Sequence, residues 1–144
     1  MPLTVVATQS YGQYSAEIDK FAVAVPARAE YSEERAGGRE SADPKITRCI
    51  AYLDGTIVGW MILKMREGDL RVEGICTHTD EVLKKGVGKA LLTYAMNMAI
   101  RSGKGTMTLF DASKGSGSGL YTAFGFEATD TNGNMHMAIS AEFR

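Results

Sequence analysis

The chain has few of the residues that metal centres and disulfide frameworks need. It contains only two histidines and two cysteines, and neither an H-E-x-x-H nor a C-x-x-C spacing occurs. Both kinds of site depend on ligands or thiols at characteristic spacings, so we expect no metal and no disulfide. Cys49 and Cys76 fall in predicted strands, far apart in sequence. They are interpreted as reduced thiols of a cytoplasmic protein.

An excess of charge of one sign and a long apolar run are also missing. The 16 Lys and Arg residues nearly balance 17 Asp and Glu, for a formal charge of −1. General nucleic-acid binding depends on a basic excess, so we expect no nucleic-acid partner. No apolar run is long enough for a membrane helix, and none stands at the N-terminus, so we expect no membrane association. The 144 residues are predicted to form a single domain, 1–144, with its own core.

The most informative segment that is present runs from 83 to 92. Gly86 and Gly88 lead into the strongest amphipathic helix pattern of the chain, at 87–102, and three lysines surround them: Lys84, Lys85 and Lys89. Glycine lets the backbone bend tightly, and the first turn of a helix has unpaired N–H groups and a partial positive charge. The segment therefore predicts a phosphate-binding turn. On the glycines alone, a loop-to-helix turn without a ligand is an equal alternative.

Two better-known phosphate motifs do not fit this segment. A Walker A loop requires G-x-x-x-x-G-K-[ST], but Leu83 stands at its first glycine and Ala90 at its hydroxyl residue. The dinucleotide fingerprint G-x-G-x-x-G fails because Leu91 stands at the third glycine. The phosphate that binds here is therefore expected to belong to another ligand class.

Hydrophobic periodicity and turn residues predict a mixed α/β order. Asp54-Gly55 and Asn132-Gly133 are expected hairpin turns, and Gly74 is an expected bulge. In chain order, the predicted elements are a strand at 3–8, a helix at 14–25 ended by Pro26, a short helix and mobile loop at 27–45, strands at 47–53, 56–65 and 70–78, a helix at 87–102, a strand at 106–110, a short helix at 120–124 and a hairpin at 126–139.

This order and three local motifs resemble the GNAT N-acetyltransferase superfamily. Leu83–Gly88 is similar to the R/Q-x-x-G-x-G/A turn that seats the pyrophosphate of coenzyme A in that family. Leu120–Phe126 is similar to its L-Y-x-x-x-G-F segment. Asp54–Gly59 resembles a hairpin common between its early strands. The resemblance covers roughly 47–139.

The sequence departs from the family pattern at three places. Leu83 replaces the usual Arg or Gln, and Lys84 and Lys85 are the candidates to compensate for it. Lys114 stands where many members carry an Asn. The strand before the turn lacks the usual Pro, and its final triplet is either 75–77 or a triplet that ends at His78.

The resemblance implies a fold, a reaction and a set of site residues. The implied fold is a mixed, mostly antiparallel central β-sheet with a splayed parallel pair, flanked by helices. The implied reaction is direct transfer of an acetyl group from acetyl-CoA to a primary amine of a small molecule or a protein, with Tyr121 as the general acid. The implied coenzyme A contacts are Ile75, Cys76 and Thr77 on the splayed strand and Lys84, Lys85, Gly86, Val87, Gly88 and Lys89 at the turn.

Two residues are candidates for the general base. Glu73 is the leading candidate, with a solvated strand carboxylate as the alternative. His78 could act through water instead, because an ordinary histidine pKa of about 6.5 suits proton transfer near neutrality. A core tyrosine is the alternative for Tyr121. A non-catalytic coenzyme A-binding or interaction module on the same fold is the alternative function, and a homodimer is one assembly to be tested.

Overall fold

In a computed structural model, which describes residues 2–31, 44–111 and 119–139, a seven-stranded sheet has the order β1-β2-β3-β4-β5-β7-β6. The strands are β1 (Leu3–Thr8), β2 (Ile46–Leu53), β3 (Thr56–Met65), β4 (Leu70–Thr77), β5 (Thr106–Phe110), β6 (Glu127–Ala128) and β7 (Asn134–Ala138). The helices are α1 (Tyr11–Ala24), α2 (Val87–Arg101) and α3 (Leu120–Phe124), and a 3₁₀ turn follows α1 at Pro26–Arg28.

All neighbouring strands pair antiparallel except β4 and β5, which are parallel. The parallel ladder contains only three residue pairs and ends at Val72↔Leu109, although β4 continues to Thr77. The two strands therefore separate over the second half of β4. The expected fold, a mostly antiparallel mixed sheet with one splayed parallel pair, is confirmed.

The sheet has a separate buried cluster on each face. On one face α1 packs through Tyr14, Ile18 and Phe21 against a cluster that also contains Trp60 and Cys76. On the other face α2 packs through its apolar stripe, which includes Val87, Leu91, Leu92, Ala95 and Ala99, and α3 lies against the same cluster. Burial of these two apolar surfaces supplies most of the driving force for the fold.

Helix α1 starts earlier than its apolar periodicity suggested, at Tyr11 rather than Tyr14. Ser10 caps it, since its Oγ accepts a 3.1 Å hydrogen bond from the N–H of Gln13. Ser10 and Gln13 have the S-x-x-Q spacing of a capping box, a signal that periodicity alone does not use. Pro26 follows the helix as predicted, because proline cannot continue the backbone hydrogen bonding.

The two predicted hairpins have different outcomes. Asp54 and Gly55 both have positive φ, 51° and 79°, as the expected two-residue turn requires. The terminal hairpin was predicted too long in its first strand, since β6 contains only two residues. The cause is Asp130, whose carboxylate accepts hydrogen bonds from the N–H groups of Asn132 (2.8 Å) and Asn134 (3.2 Å) and organises a wider loop.

Some sequence expectations fall on residues outside the described ranges. Most of the loop predicted at 27–45 and the position of Lys114 are among these. Cys49 on β2 and Cys76 on β4 are both buried. In the three described ranges no helix is long and apolar enough to cross a membrane.

Candidate active site

The separation of β4 from β5 begins at a bulge in β4. On β3, Ile62 and Leu63 are consecutive, but their partners on β4 are Gly74 and Val72, so Glu73 is the extra residue. A bulge was expected at Gly74 and lies one residue earlier. It changes the phase of the strand: Val72 and then Ile75 contact the α2 side, whereas Cys76 joins the α1 side.

Two residues of β4 point their backbone N–H and C=O groups into the gap between β4 and β5. The N–H of His78 donates a 2.8 Å hydrogen bond to the carbonyl of Val58 on β3. Backbone groups alternate in direction along a strand, so Cys76 faces β3 as well, while Ile75 and Thr77 face the gap toward β5. Of the predicted triplet, Ile75 and Thr77 therefore have their backbone groups in the cleft, and Cys76 does not.

The glycine turn is built by a carboxylate that precedes it. Oδ1 of Asp80 accepts hydrogen bonds from the N–H groups of Val82 (2.9 Å) and Leu83 (3.1 Å). These bonds hold the pKa of Asp80 below its usual value, the bond from Leu83 having the larger effect. The turn then reaches Gly86, whose φ of 77° is in the left-handed region that favours glycine.

The start of α2 leaves several N–H donors available. Within the described residues, the backbone N–H groups of Gly86, Gly88 and Lys89 have no hydrogen-bond acceptor. The first i→i−4 hydrogen bond of the helix runs from the N–H of Ala90 to the carbonyl of Gly86, at 3.0 Å. Val87 is fully buried and fixes this turn to the core. Unpaired N–H groups at the start of a helix favour the binding of an anion.

The three lysines near the turn are not equivalent. Nζ of Lys84 lies 3.0 Å from a carboxylate oxygen of Glu81, so part of its charge is already balanced. Lys85 is exposed. Lys89 lines a groove of about 460 Å³ that starts at Gly86 and runs between β1 and the flank of α2.

Tyr121 lies close to residues of both faces of the sheet. It packs against the cluster on the α2 side, and its phenol is near Tyr31 and Cys76 of the α1 side. Burial, and to a smaller extent the nearby Asp111, Tyr31 and Cys76, raise the pKa of its phenol to about 12. Its ring packs edge-to-face on the buried ring of Phe126, with 6.3 Å between centroids. The phenol is therefore held in place and stays protonated at neutral pH.

An aromatic wall borders this point on the α1 side. The ring of Tyr31 stacks on that of Trp60, with centroids 5.6 Å apart and an interplanar angle of 18°. Trp60 is the cross-strand partner of Cys76. Of the aromatic residues that could line an acceptor pocket, Trp60 and Tyr14 are fully buried and serve packing, while Tyr31 and Tyr11 retain exposed surface.

The two candidate bases differ in their surroundings. Oε2 of Glu73 lies 4.0 Å from Nε of Arg71, and both side chains keep about a quarter of their surface exposed (24% and 23%). Nδ1 of His78 instead accepts a 3.0 Å hydrogen bond from the N–H of Asp80. In neutral His78 the proton is then on Nε2, so no lone pair is left to accept another. Glu73 is the better placed of the two.

Other groups that shape the site were not singled out from the sequence. Thr108, Asp69 and Arg66 are linked by hydrogen bonds at the paired end of β4 and β5. An Asp in a turn before a strand is a weak signal, and only the fold brings Thr108 to it. No three His, Cys, Asp or Glu side chains in the described ranges lie together in a way that could hold a metal ion.

Comparison with known proteins gives one family match. The sequence profile of the acetyltransferase (GNAT) domain matches residues 45–128, more than half of the chain. No curated protein is significantly similar in sequence.

Solved structures share the fold at low identity. A PaiA N-acetyltransferase from Thermoplasma acidophilum in complex with coenzyme A has a TM-score of 0.71 and 16% identity, covering 96% of this chain and 100% of that one. An aminoglycoside 6′-acetyltransferase type Ii has a TM-score of 0.71, 13% identity and 97% coverage of both chains. The ribosomal-protein-S18-alanine N-acetyltransferase from Escherichia coli has a TM-score of 0.68, 19% identity and coverage of 96% and 95%.

Proposed function

This chain belongs to the GNAT acetyltransferase family, and we propose that it is an N-acetyltransferase that moves an acetyl group from acetyl-CoA to a primary amine. Acetyl-CoA is the co-substrate that membership of this family supports. The observation that carries the proposal is the gap between β4 and β5, which opens beside a helix start with unpaired N–H groups. A single domain, a cytoplasmic location and a homodimer stay predictions of the sequence.

The pyrophosphate of the coenzyme is assigned to the turn at 84–89. The N–H groups of Gly86, Gly88 and Lys89 donate to its oxygens, and the positive end of α2 adds to the attraction. Because Lys84 is paired with Glu81 at 3.0 Å, Lys85 and Lys89 supply the larger share of the local positive charge. Lys85 and Lys89 thereby compensate for Leu83, which stands where the family usually has Arg or Gln.

The pantetheine arm is assigned to the gap beside β4. Its amides pair with the backbone groups of Ile75 and Thr77 in the manner of an added strand. The N–H of Thr77 is the donor for the thioester oxygen, because the N–H of His78 is already bonded to Val58. Cys76 contributes its side chain beside Tyr121 and no backbone contact.

The chemistry proceeds by direct attack. The amine nitrogen forms a bond to the thioester carbonyl carbon, and the negative charge on the oxygen is held by the N–H of Thr77. The C–S bond then breaks, its electron pair stays on sulfur, and the Tyr121 hydroxyl gives that sulfur a proton. The phenol is protonated at neutral pH, which is the form that a general acid must have.

Glu73 is assigned as the base that receives the proton lost by the amine. It lies three residues before Cys76 on β4, a separation of about 10 Å along a strand, so the proton passes through water. The guanidinium of Arg71 lies beside the Glu73 carboxylate, with 4.0 Å between Nε and Oε2, which is too long for a hydrogen bond.

The experiment is a two-stage measurement on the full chain. Calorimetry with acetyl-CoA tests binding, and mass spectrometry of a panel of amines incubated with acetyl-CoA tests acetyl transfer. Binding and an acetylated product are the expected results. Binding without any product across small-molecule and peptide amines would favour the non-catalytic module, and absence of binding would leave the fold as an interaction scaffold.

A further inference from the structure

Gly88 is buried against the short helix that carries Tyr121. A Cβ placed on Gly88 would lie 2.5 Å from Cδ2 of Leu120, 3.4 Å from its Cδ1 and 3.5 Å from its Cγ. Real Cβ atoms do not approach another carbon to 2.5 Å, so the Leu120 side chain fills the space that glycine leaves. Leu120 directly precedes Tyr121 in α3.

A second glycine fixes the other side of the same helical turn. A Cβ on Gly59 of β3 would lie 2.8 Å from the carbonyl oxygen of Cys76 and 2.8 Å from Cγ1 of Val87. The first turn of α2 is therefore held between β3 and α3, with Val87 against Gly59 and Leu120 against Gly88. Contacts on both sides determine where α3 sits relative to β4.

We propose that Gly88 is a positioning residue for Tyr121, and that it acts through Leu120. A Cβ on Gly88 would point at Leu120, and this direction identifies the role. The role is additional to that of the Gly88 N–H in the anion site. A side chain at position 88 displaces Leu120, loosens α3 and moves the phenol of Tyr121 away from the thioester. The inference rests on the proposed acetyltransferase function for its catalytic consequence, but its structural part can be tested without turnover.

The test compares two glycines at the same position of two helices. Gly88 is the second residue of α2 and Gly12 is the second residue of α1, where a Cβ would have only Ser10 Oγ, at 4.0 Å, near it. Gly88→Ala and Gly12→Ala thus make the same change of backbone propensity in a helix. Only the first creates a contact with Leu120.

The readout is the ¹³C resonance of the Tyr121 Cζ atom in protein labelled at its six tyrosines. Its loss in Tyr121→Phe assigns it. We expect Gly88→Ala to shift this resonance and Gly12→Ala to leave it in place. We also expect kcat to fall roughly 10- to 100-fold in Gly88→Ala, as a misplaced catalytic group does. The fall in kcat should exceed any loss of acetyl-CoA affinity, which calorimetry measures separately.

A second substitution checks the route through Leu120. Leu120→Val removes both Cδ atoms, and Gly88→Ala/Leu120→Val should therefore return the Tyr121 resonance and kcat toward the values of Leu120→Val alone. An unchanged Tyr121 resonance in folded Gly88→Ala would overturn the proposal. If Gly88→Ala does not fold, Leu120→Ala removes the same contact from the other side, and an unmoved Tyr121 resonance there would overturn it equally. A wild type without turnover would refute the proposed function and leave the resonance test intact.

Discussion

The hydroxyl of Thr108 on β5 donates a 2.7 Å hydrogen bond to Oδ2 of Asp69, the residue that directly precedes β4. Nε of Arg66 donates to the other oxygen of the same carboxylate at 2.6 Å. The bond joins the two parallel strands beside their first pair, Leu70↔Met107. The strands are thus fastened at one end and open at the other, where the acetyl group is expected to lie.

Asp69→Asn should destabilise the protein by about 1–3 kcal/mol at neutral pH, the range for a buried hydrogen bond to a charged group. The bonds from Arg66 and then Thr108 hold the pKa of Asp69 below its usual value. A lowered pKa means that the stabilisation is complete above the unfolded value of about 3.9 and is lost as the pH falls through the folded one. Denaturant unfolding measured from neutral to acid pH should show that the difference in the free energy of unfolding between wild type and variant disappears below about pH 4.

A matched pair of threonines tests whether the bond across the two strands matters. Thr108→Val should lower both stability and acetyl-CoA affinity, because it releases the closed end of the parallel pair. Thr106→Val, two residues earlier on the same strand, should change neither by a comparable amount. Equal losses in the two variants would show that strand composition, and not the Asp69 bond, is responsible.

Gly86→Ala should weaken acetyl-CoA binding by about tenfold, measured by calorimetry. The φ of 77° at Gly86 costs other residues roughly 1–2 kcal/mol, and relaxing it turns the N–H groups away from the pyrophosphate. Gly103→Ala is the control, since Gly103 has a φ of 69°, open space around it and a position at the opposite end of α2. Both variants should lose similar stability, and only Gly86→Ala should lose affinity.

Tyr121→Phe should lower kcat by roughly 10²–10⁴ and leave the Kd for acetyl-CoA nearly unchanged, because the ring and its contact with Phe126 remain. Since the pKa of Tyr121 is raised to about 12, kcat of the wild type should show no decline from this group below about pH 10. The same shift favours the neutral phenol in the folded state, so its stabilisation is lost as the pH rises from about 10 to about 12. A drop in kcat of less than about threefold, with chemistry limiting the rate, would make Tyr121 a packing residue.

Glu73→Gln should lower kcat/KM by roughly 10²-fold, because an amide cannot take the proton that the amine loses. His78→Asn should change kcat/KM by less than about threefold, because an Asn side-chain oxygen can take over the hydrogen bond from the Asp80 N–H. A large loss in His78→Asn, with Glu73→Gln unaffected, would reverse the assignment of the base.

Much of the fold follows from local patterns in the sequence. The apolar stripe of α2 and the Asp54-Gly55 turn were predicted correctly because each is decided by residues that are close in sequence. The resemblance to the GNAT family was supported by three short motifs, and the family is confirmed. The roles of Tyr121, Glu73 and the turn at 84–89 stay predictions.

Features that depend on residues distant in the chain could not be predicted from local sequence patterns. The bulge falls at Glu73 and not at Gly74 because the pairing with β3 decides which residue is extra. The lone pair of His78 is engaged by the Asp80 N–H, a contact that the spacing of the two residues does not reveal. The direction of the missing Cβ of Gly88 depends on where α3 packs, which no local pattern specifies.

The extra residue in β4 divides one strand into two stretches whose buried side chains belong to different cores. The even-numbered residues are the buried ones throughout, but Leu70 and Val72 pack on the α2 side and Cys76 packs on the α1 side. A library that substitutes every position of β4 should therefore be least tolerant at the even-numbered positions along the whole strand. Suppressors of substitutions at Leu70 and Val72 should fall among residues of the α2-side cluster, and suppressors of substitutions at Cys76 among residues of the α1-side cluster.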